Sequence, residues 1–342
     1  MLPPTSLVER PASAGLPVRI LGTGVHVPSR CVTSAELDAT YGRVPGTTAA
    51  RSGVVTRFWA GPEESSVSMA AAALGAALEA AGMAATELDA VIVASVLPEQ
   101  PMPTNAVLVL GALGVPGGGV AAFDINASCL GFLTALDVAS LGIAAGRWRH
   151  VGIVASELAS KGLNHGDIES SALFGDGAGA AVLGPGGESS CLLASRFETH
   201  PRGARLCEIA AGGTRFNVVT PPADPAAYLF RMDGLGIMKL AAETLPPFLA
   251  AVLAEAGLGL DDLDVVVPHQ ASHLGLRFLR ERLGVPADKV VDQLATHGNQ
   301  VSASLGTAFH AAIASGRLHR GGHVLLIGTA AGLSLGAAIL RY

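Results

Sequence analysis

Four cysteines stand in the 342 residues, and one of them, Cys129, falls where an apolar, strand-like run gives way to helical spacing in DINASCLGFLTALDVAS, 124–140. A thiol at a helix start meets unpaired backbone N–H groups and the positive end of the helix dipole, which favour the thiolate, the form that attacks acyl carbons. Gly131, two residues on, leaves room for a substrate to approach. His269 closes a second apolar run, VVVPHQAS, and Asn299 lies in THGNQVSASLGTAFHAAI, 170 positions after Cys129. Taken singly, each has an ordinary structural use: a cysteine packs as a small hydrophobe, a histidine sits hydrogen-bonded in a core, and an asparagine caps a helix. Taken together they offer a nucleophile, an imidazole and an amide donor, a constellation suited to covalent acyl chemistry.

The elements that must position these residues read as two related halves. LEAAGMAATELDAVIVAS (78–95) recurs loosely as LAEAGLGLDDLDVVVPHQAS (253–272), and LGVP at 113–116 returns at 283–286. Each half alternates strand and helix. The strands (VIVAS, VAAFDI, VGIVAS; VVVP, HVLLIG) are almost continuously apolar, the pattern of parallel-type strands buried between helix layers. The fold class is therefore α/β, layered and pseudo-symmetric. Residues 1–186 form the half that carries the cysteine, 187–232 a Pro-, Gly- and Arg-rich insertion or crossover, and 233–342 the half that carries the histidine and the asparagine. Because Cys129 and Asn299 are duplicates, the pseudo-twofold brings two helix starts toward one centre, where side chains emerge at strand ends.

Composition removes other classes. Half the residues are hydrophobic, 15% are charged and the net charge is −6, so there is no basic footprint for nucleic acid. The N-terminal MLPPTSLVERPASAGL lacks a secretory pattern, and a reducing cytoplasm is the default for scattered cysteines. VLLIGTAAGLSLGAAIL (324–340) carries no charge and spaces Gly328, Gly332 and Gly336 by four, as in membrane helix pairs. It is short of a span and reads better as a strand, a Gly-rich turn and a final strand. ILGTGVHVPS offers Gly22 and Gly24, but the third glycine of a dinucleotide loop is missing. FGDGAGAAVLG (174–184) lacks the Lys-Ser/Thr of a P-loop and is either a tight turn into a buried strand or a substrate contact. His165, His297 and His310 show no metal-ligand spacing, so no metal is expected.

The motifs ASCLGF, LFGDGAGAAVL, PHQAS, HGNQVSAS and GTAAGLSLGAAILRY, in this order, resemble those of β-ketoacyl-acyl-carrier-protein synthase III and its relatives in the thiolase superfamily. The resemblance implies a five-layered αβαβα thiolase fold and a homodimer. It makes Cys129 the acylated nucleophile and His269 and Asn299 the pair that polarises the second thioester. The oxyanion hole would combine the backbone N–H groups of Cys129 and Ala331. The substrates implied are acyl-coenzyme A or acyl-carrier-protein thioesters with no cofactor, and the acyl group on Cys129 condenses with a malonyl-type thioester in fatty-acid, polyketide or other secondary metabolism. The alternative is transfer of the acyl group to an alcohol or amine without decarboxylation. Met102 falls where the family gates the partner subunit's acyl pocket, and Arg51 where a basic entrance residue stands. Thr47, Ile168 and Leu274 replace the aromatic and basic residues of the family's coenzyme A clamp, and Gly306 replaces a proline.

Overall fold

The computed structural model describes residues 15–342; most of the N-terminal segment read for a secretory signal lies outside them. Two mixed sheets carry the architecture. The first orders its strands Val18–His26, Gly177–Pro185, Val151–Glu157, Ala90–Ala94, Ala121–Ile125. The second orders Cys191–Gly203, Gly332–Arg341, His323–Ala330, Val265–Pro268. A lone bridge between Val266 and Val290 stands where a fifth strand would complete the match.

Side-chain alternation explains the layering. Ala90, Ile92 and Ala94 face one core while Val91 and Val93 face another, so a strand buried on both sides looks continuously apolar in sequence. The second sheet does the same: Val265, Val267, Val324 and Leu326 turn toward the shared core, and Val266, Leu325 and Ile327 turn away. Helices Gly131–Ala144 and Ala303–Ala314 lie in the shared core between the sheets. Helix Ser66–Ala81 covers the outer face of the first sheet, and helices Gly234–Ala256 and His273–Glu281 cover the second. The result is the five-layered αβαβα arrangement.

Several expectations need correction. Only the strands Ala121–Ile125, Ala90–Ala94 and Val151–Glu157 run parallel to one another in the first sheet, and only Val265–Pro268 and His323–Ala330 in the second; the remaining pairs are antiparallel. The crossover is shorter than 187–232, because Cys191–Gly203 pairs along Gly332–Arg341 and belongs to the second sheet. The run from Ser195 to Arg202, polar except for Phe197 and Pro201, hid it among the polar stretches.

Other readings hold. The C-terminus forms two antiparallel strands joined at Ala331. Gly328 and Gly336 admit the side chains of His269, Leu130 and Phe197, so their spacing serves sheet packing. Gly22 and Gly24 sit in a strand where a Cβ would stand 2.3 Å from the carbonyls of Ala77 and Ala73; they let helix Ser66–Ala81 press onto the sheet. Among the described residues, one helix is long and apolar enough to cross a membrane, Gly234–Ala256, and its Leu240, Phe248 and Val252 pack into the core of the second sheet.

Candidate active site

Cys129 sits on a tight bend between strand Ala121–Ile125 and helix Gly131–Ala144. Ser128 takes a left-handed backbone (φ 49°), and its N–H donates to Asn126 Oδ1 at 3.0 Å. The bend ends in turn bonds from Leu130 and Gly131 to the carbonyls of Ala127 and Ser128. Gly131 does different work from that expected of it. A Cβ there would stand 2.8 Å from Ala94 Cβ and 3.1 Å from Ser302 Cβ, so the glycine lets the two central helix starts close on each other.

Across this contact, Asn299 follows Gly298, which is also left-handed (φ 67°). Asn299 Oδ1 accepts from Val301 N–H at 2.8 Å, and Nδ2 donates to the Ala271 carbonyl at 3.2 Å, leaving its second amide hydrogen free. His269 is placed by the end of strand Val265–Pro268. Its N–H donates to the Ile327 carbonyl at 2.8 Å, and its Nδ1 lies 2.5 Å from Ser304 Oγ.

Cys129, His269, Asn299 and Ala331 line one cavity of about 1510 Å³. The backbone N–H groups of Ala331 and of Cys129 itself lie near enough to the Cys129 sulfur to favour its charged form, and donors so placed are suited to an oxyanion formed on a carbonyl attacked there. Arg51 stands at the mouth of the same cavity, tied to Glu169 at 2.9 Å. Met102 does not line it and is 82% exposed on the surface.

The electrostatics depart from the expectation of a resting thiolate. Burial pushes the Cys129 thiol up to about 12, with Cys207 and Glu157 adding to the rise and the two N–H groups opposing it. Desolvation opposes the helix start and favours the neutral thiol. Burial also holds His269 down at about 4, so the imidazole is neutral.

Three side chains were missed in the sequence. Glu157 ends strand Val151–Glu157 and lines the cavity, where its Oε1 accepts from Ser302 Oγ at 2.5 Å and Val96 N–H at 2.9 Å. Burial raises it to about 8, so the carboxyl is largely protonated at neutral pH. Cys207 also lines the cavity. Ser304 touches His269 from the helix that Asn299 precedes. Of the three, only Ser304 had a signal: it lies inside HGNQVSAS, one helical turn beyond Val301. Asp176 of FGDG is wholly buried and accepts from Ala60 N–H, Ser160 N–H and Ser160 Oγ, which makes that motif chiefly a structural turn, although Phe174 lines the cavity. Among the described residues, no group of three or more His, Cys, Asp or Glu side chains is placed to hold a metal ion.

Two family models match the chain. 3-Oxoacyl-[acyl-carrier-protein (ACP)] synthase III covers residues 123–201, and 3-Oxoacyl-[acyl-carrier-protein (ACP)] synthase III C terminal covers 253–342. The β-ketoacyl-[acyl-carrier-protein] synthase III of Thiobacillus denitrificans is 36% identical over 324 residues, 95% of this chain and 99% of that protein. Among solved structures, 3-oxoacyl-[acyl-carrier-protein] synthase III from Aquifex aeolicus matches with a TM-score of 0.86 at 32% identity, over 95% of this chain and 100% of that one. The priming β-ketosynthase of the R1128 polyketide biosynthetic pathway matches with a TM-score of 0.86 at 33% identity, over 95% and 96%. Fold and site thus define an enzyme of the thiolase superfamily. Within that class, the chain belongs to the 3-oxoacyl-[acyl-carrier-protein] synthase III family.

Proposed function

We propose that the protein takes an acyl group onto Cys129 and condenses it with a malonyl-type thioester. The observation that carries this reading is the convergence of Cys129, His269, Asn299 and Ala331 on one cavity, with the N–H groups of Cys129 and Ala331 favouring charge at the sulfur. In the first step a C–S bond forms between Cys129 and the donor carbonyl, the two N–H groups hold the oxyanion, and the donor thiol leaves with the proton from Cys129. In the second, the malonyl carboxylate departs as CO2 and its bonding electrons enter an enolate, held by the His269 imidazole and the free Asn299 amide hydrogen. The enolate carbon then attacks the acyl carbonyl, and Cys129 leaves as thiolate and is reprotonated from water. Two neutral donors suit this task because they stabilise the enolate without protonating its carbon.

The cavity mouth favours a donor presented by a carrier protein over one held by its nucleotide. Arg51 is paired with Glu169, Arg277 with Glu281, and Ile168 and Leu274 complete that rim. Arg282 is the one cavity-lining arginine without an ion pair among the described residues, which leaves a single free cation there for the phosphates of coenzyme A. A homodimer is supported by the unpaired outer edge of strand Ala121–Ile125 and by Leu97, Met102 and Val107, all exposed nearby in the chain. An unpaired strand edge is a ready template for a second chain. In that dimer Met102 reaches the partner's acyl tunnel. We place the enzyme in the cytoplasm, where a catalytic thiol stays reduced.

The test is to supply acyl thioesters on coenzyme A and on a carrier protein, read the intact mass, then add a malonyl thioester. The reading expects acyl mass on Cys129 followed by release of CO2 and a 3-oxoacyl product. Ester or amide formation without CO2 would overturn it.

A further inference from the structure

A neutral imidazole has one ring proton, and its position decides what His269 can do. With the proton on Nε2 the ring donates a hydrogen bond into the cavity. With the proton on Nδ1 it presents a lone pair there and becomes a base. The ring is neutral in this site because burial disfavours its charged form, so the choice between tautomers is the choice between two chemistries.

The deciding contact is with Ser304, which is fully buried. Its Oγ lies 2.5 Å from His269 Nδ1 and 2.9 Å from the Val301 carbonyl. The hydroxyl has one proton for these two acceptors. Should Val301 receive it, Nδ1 must carry the ring proton and Nε2 is left bare. Should Nδ1 receive it, Nε2 must carry the ring proton. The Val301 carbonyl has a second donor in the Ser304 N–H, at 3.4 Å, whereas Ser304 Oγ is the one hydrogen-bond partner of Nδ1 among the described residues. The shorter contact and the missing alternative both favour Nδ1.

We propose that Ser304 is a positioning residue that donates its hydroxyl to His269 Nδ1 and so keeps the ring proton on Nε2, facing the enolate oxygen. This rests on the condensation reading given above. Ser304 touches no substrate; it acts through the ring. It also anchors the acceptor-holding histidine to the helix that Asn299 introduces, so both donors are set by one short segment, Asn299 to Ser304.

The experiment uses the full chain with 15N-labelled histidine. In the native protein the His269 ring nitrogens should report the Nε2–H tautomer. In Ser304→Ala the Nδ1–H form should appear. Acylation of Cys129 from an acyl thioester should stay within about twofold in that variant, while CO2 release from a malonyl thioester falls about 10- to 100-fold, the scale of losing a histidine's orienting partner. Ser304→Thr, which keeps the hydroxyl, should restore a substantial part of the loss. A native Nδ1–H tautomer overturns the proposal, and so does a Ser304→Ala variant whose two steps fall equally or whose CO2 release is unchanged. The native tautomer is read without any variant, so a Ser304→Ala chain that fails to fold leaves the proposal falsifiable. If the native enzyme acylates Cys129 yet releases no CO2, the condensation reading fails on its own, separately from the tautomer.

Discussion

The first central helix start carries Cys129 behind a left-handed Ser128, and the second carries Asn299 behind a left-handed Gly298. Both first side chains lie at equivalent positions, and the helices that follow end at Ala144 and Ala314, also 170 positions apart. Two corresponding strand-to-helix junctions have been given two chemistries. At the first start, burial opposes charge on the sulfur. At the second, neutral donors are held ready: an amide braced by Val301 and Ala271, and an imidazole braced by Ser304. The difference teaches that a duplicated backbone supplies location, while the neighbours of each side chain decide its protonation and its step in the reaction. Both starts carry strain: Ser128 (φ 49°) at the first and Val301 (φ 51°) at the second hold a positive φ with a side chain, each at a cost on the order of 1–3 kcal/mol, while Gly298 must be glycine because a Cβ there would stand 2.6 Å from the Leu173 carbonyl.

The largest effect expected from breaking this comparison comes from the thiol. Cys129→Ala should abolish acyl loading on the intact protein, and iodoacetamide should no longer compete with an acyl thioester for any of the three remaining cysteines. Acyl mass gained by the variant would move the nucleophile elsewhere.

A smaller effect lies in the contact that joins the two starts. Gly131→Ala would push its methyl against Ala94 and Ser302, and overpacking of this kind costs about 1–3 kcal/mol. Urea denaturation should show that loss. No change in the midpoint would mean the helix starts are not in the tight contact described.

A third prediction concerns Glu157. Burial raises its folded value to about 8 from an ordinary 4.5, so between those values the folded chain holds a proton that the unfolded chain releases. Stability must therefore fall as pH rises through that window. Glu157→Gln, which cannot ionise, should flatten the fall between about pH 4.5 and 8 in denaturation curves. An unchanged slope would mean the carboxyl is charged in the native protein.

Much of this was legible from residues alone. The duplicated positions of Cys129 and Asn299, the strand that delivers His269 just past its end and the final strand pair all follow from periodicity and spacing, because buried strands and helix starts leave strong local patterns. The strand Cys191–Gly203 did not, since one face of it carries charges and the segment reads as loop. The role of Gly131 was misread for a related reason: what a glycine makes room for is a tertiary fact, and here Ser302 comes from 171 positions away. The helix start that favours charge on the thiol is visible in sequence, while the desolvation that opposes it belongs to the assembled cavity.

The claim that the two helix starts divide the labour is tested most directly by single-turnover kinetics on His269→Ala and Asn299→Ala, with acyl loading and CO2 release measured separately. The division predicts that both variants still gain the acyl mass, and that CO2 release falls by about 10² to 10³ in each, the cost of one lost oxyanion donor. Loss of acyl loading in both variants, or a large effect of His269 beside a negligible one of Asn299, would contradict it.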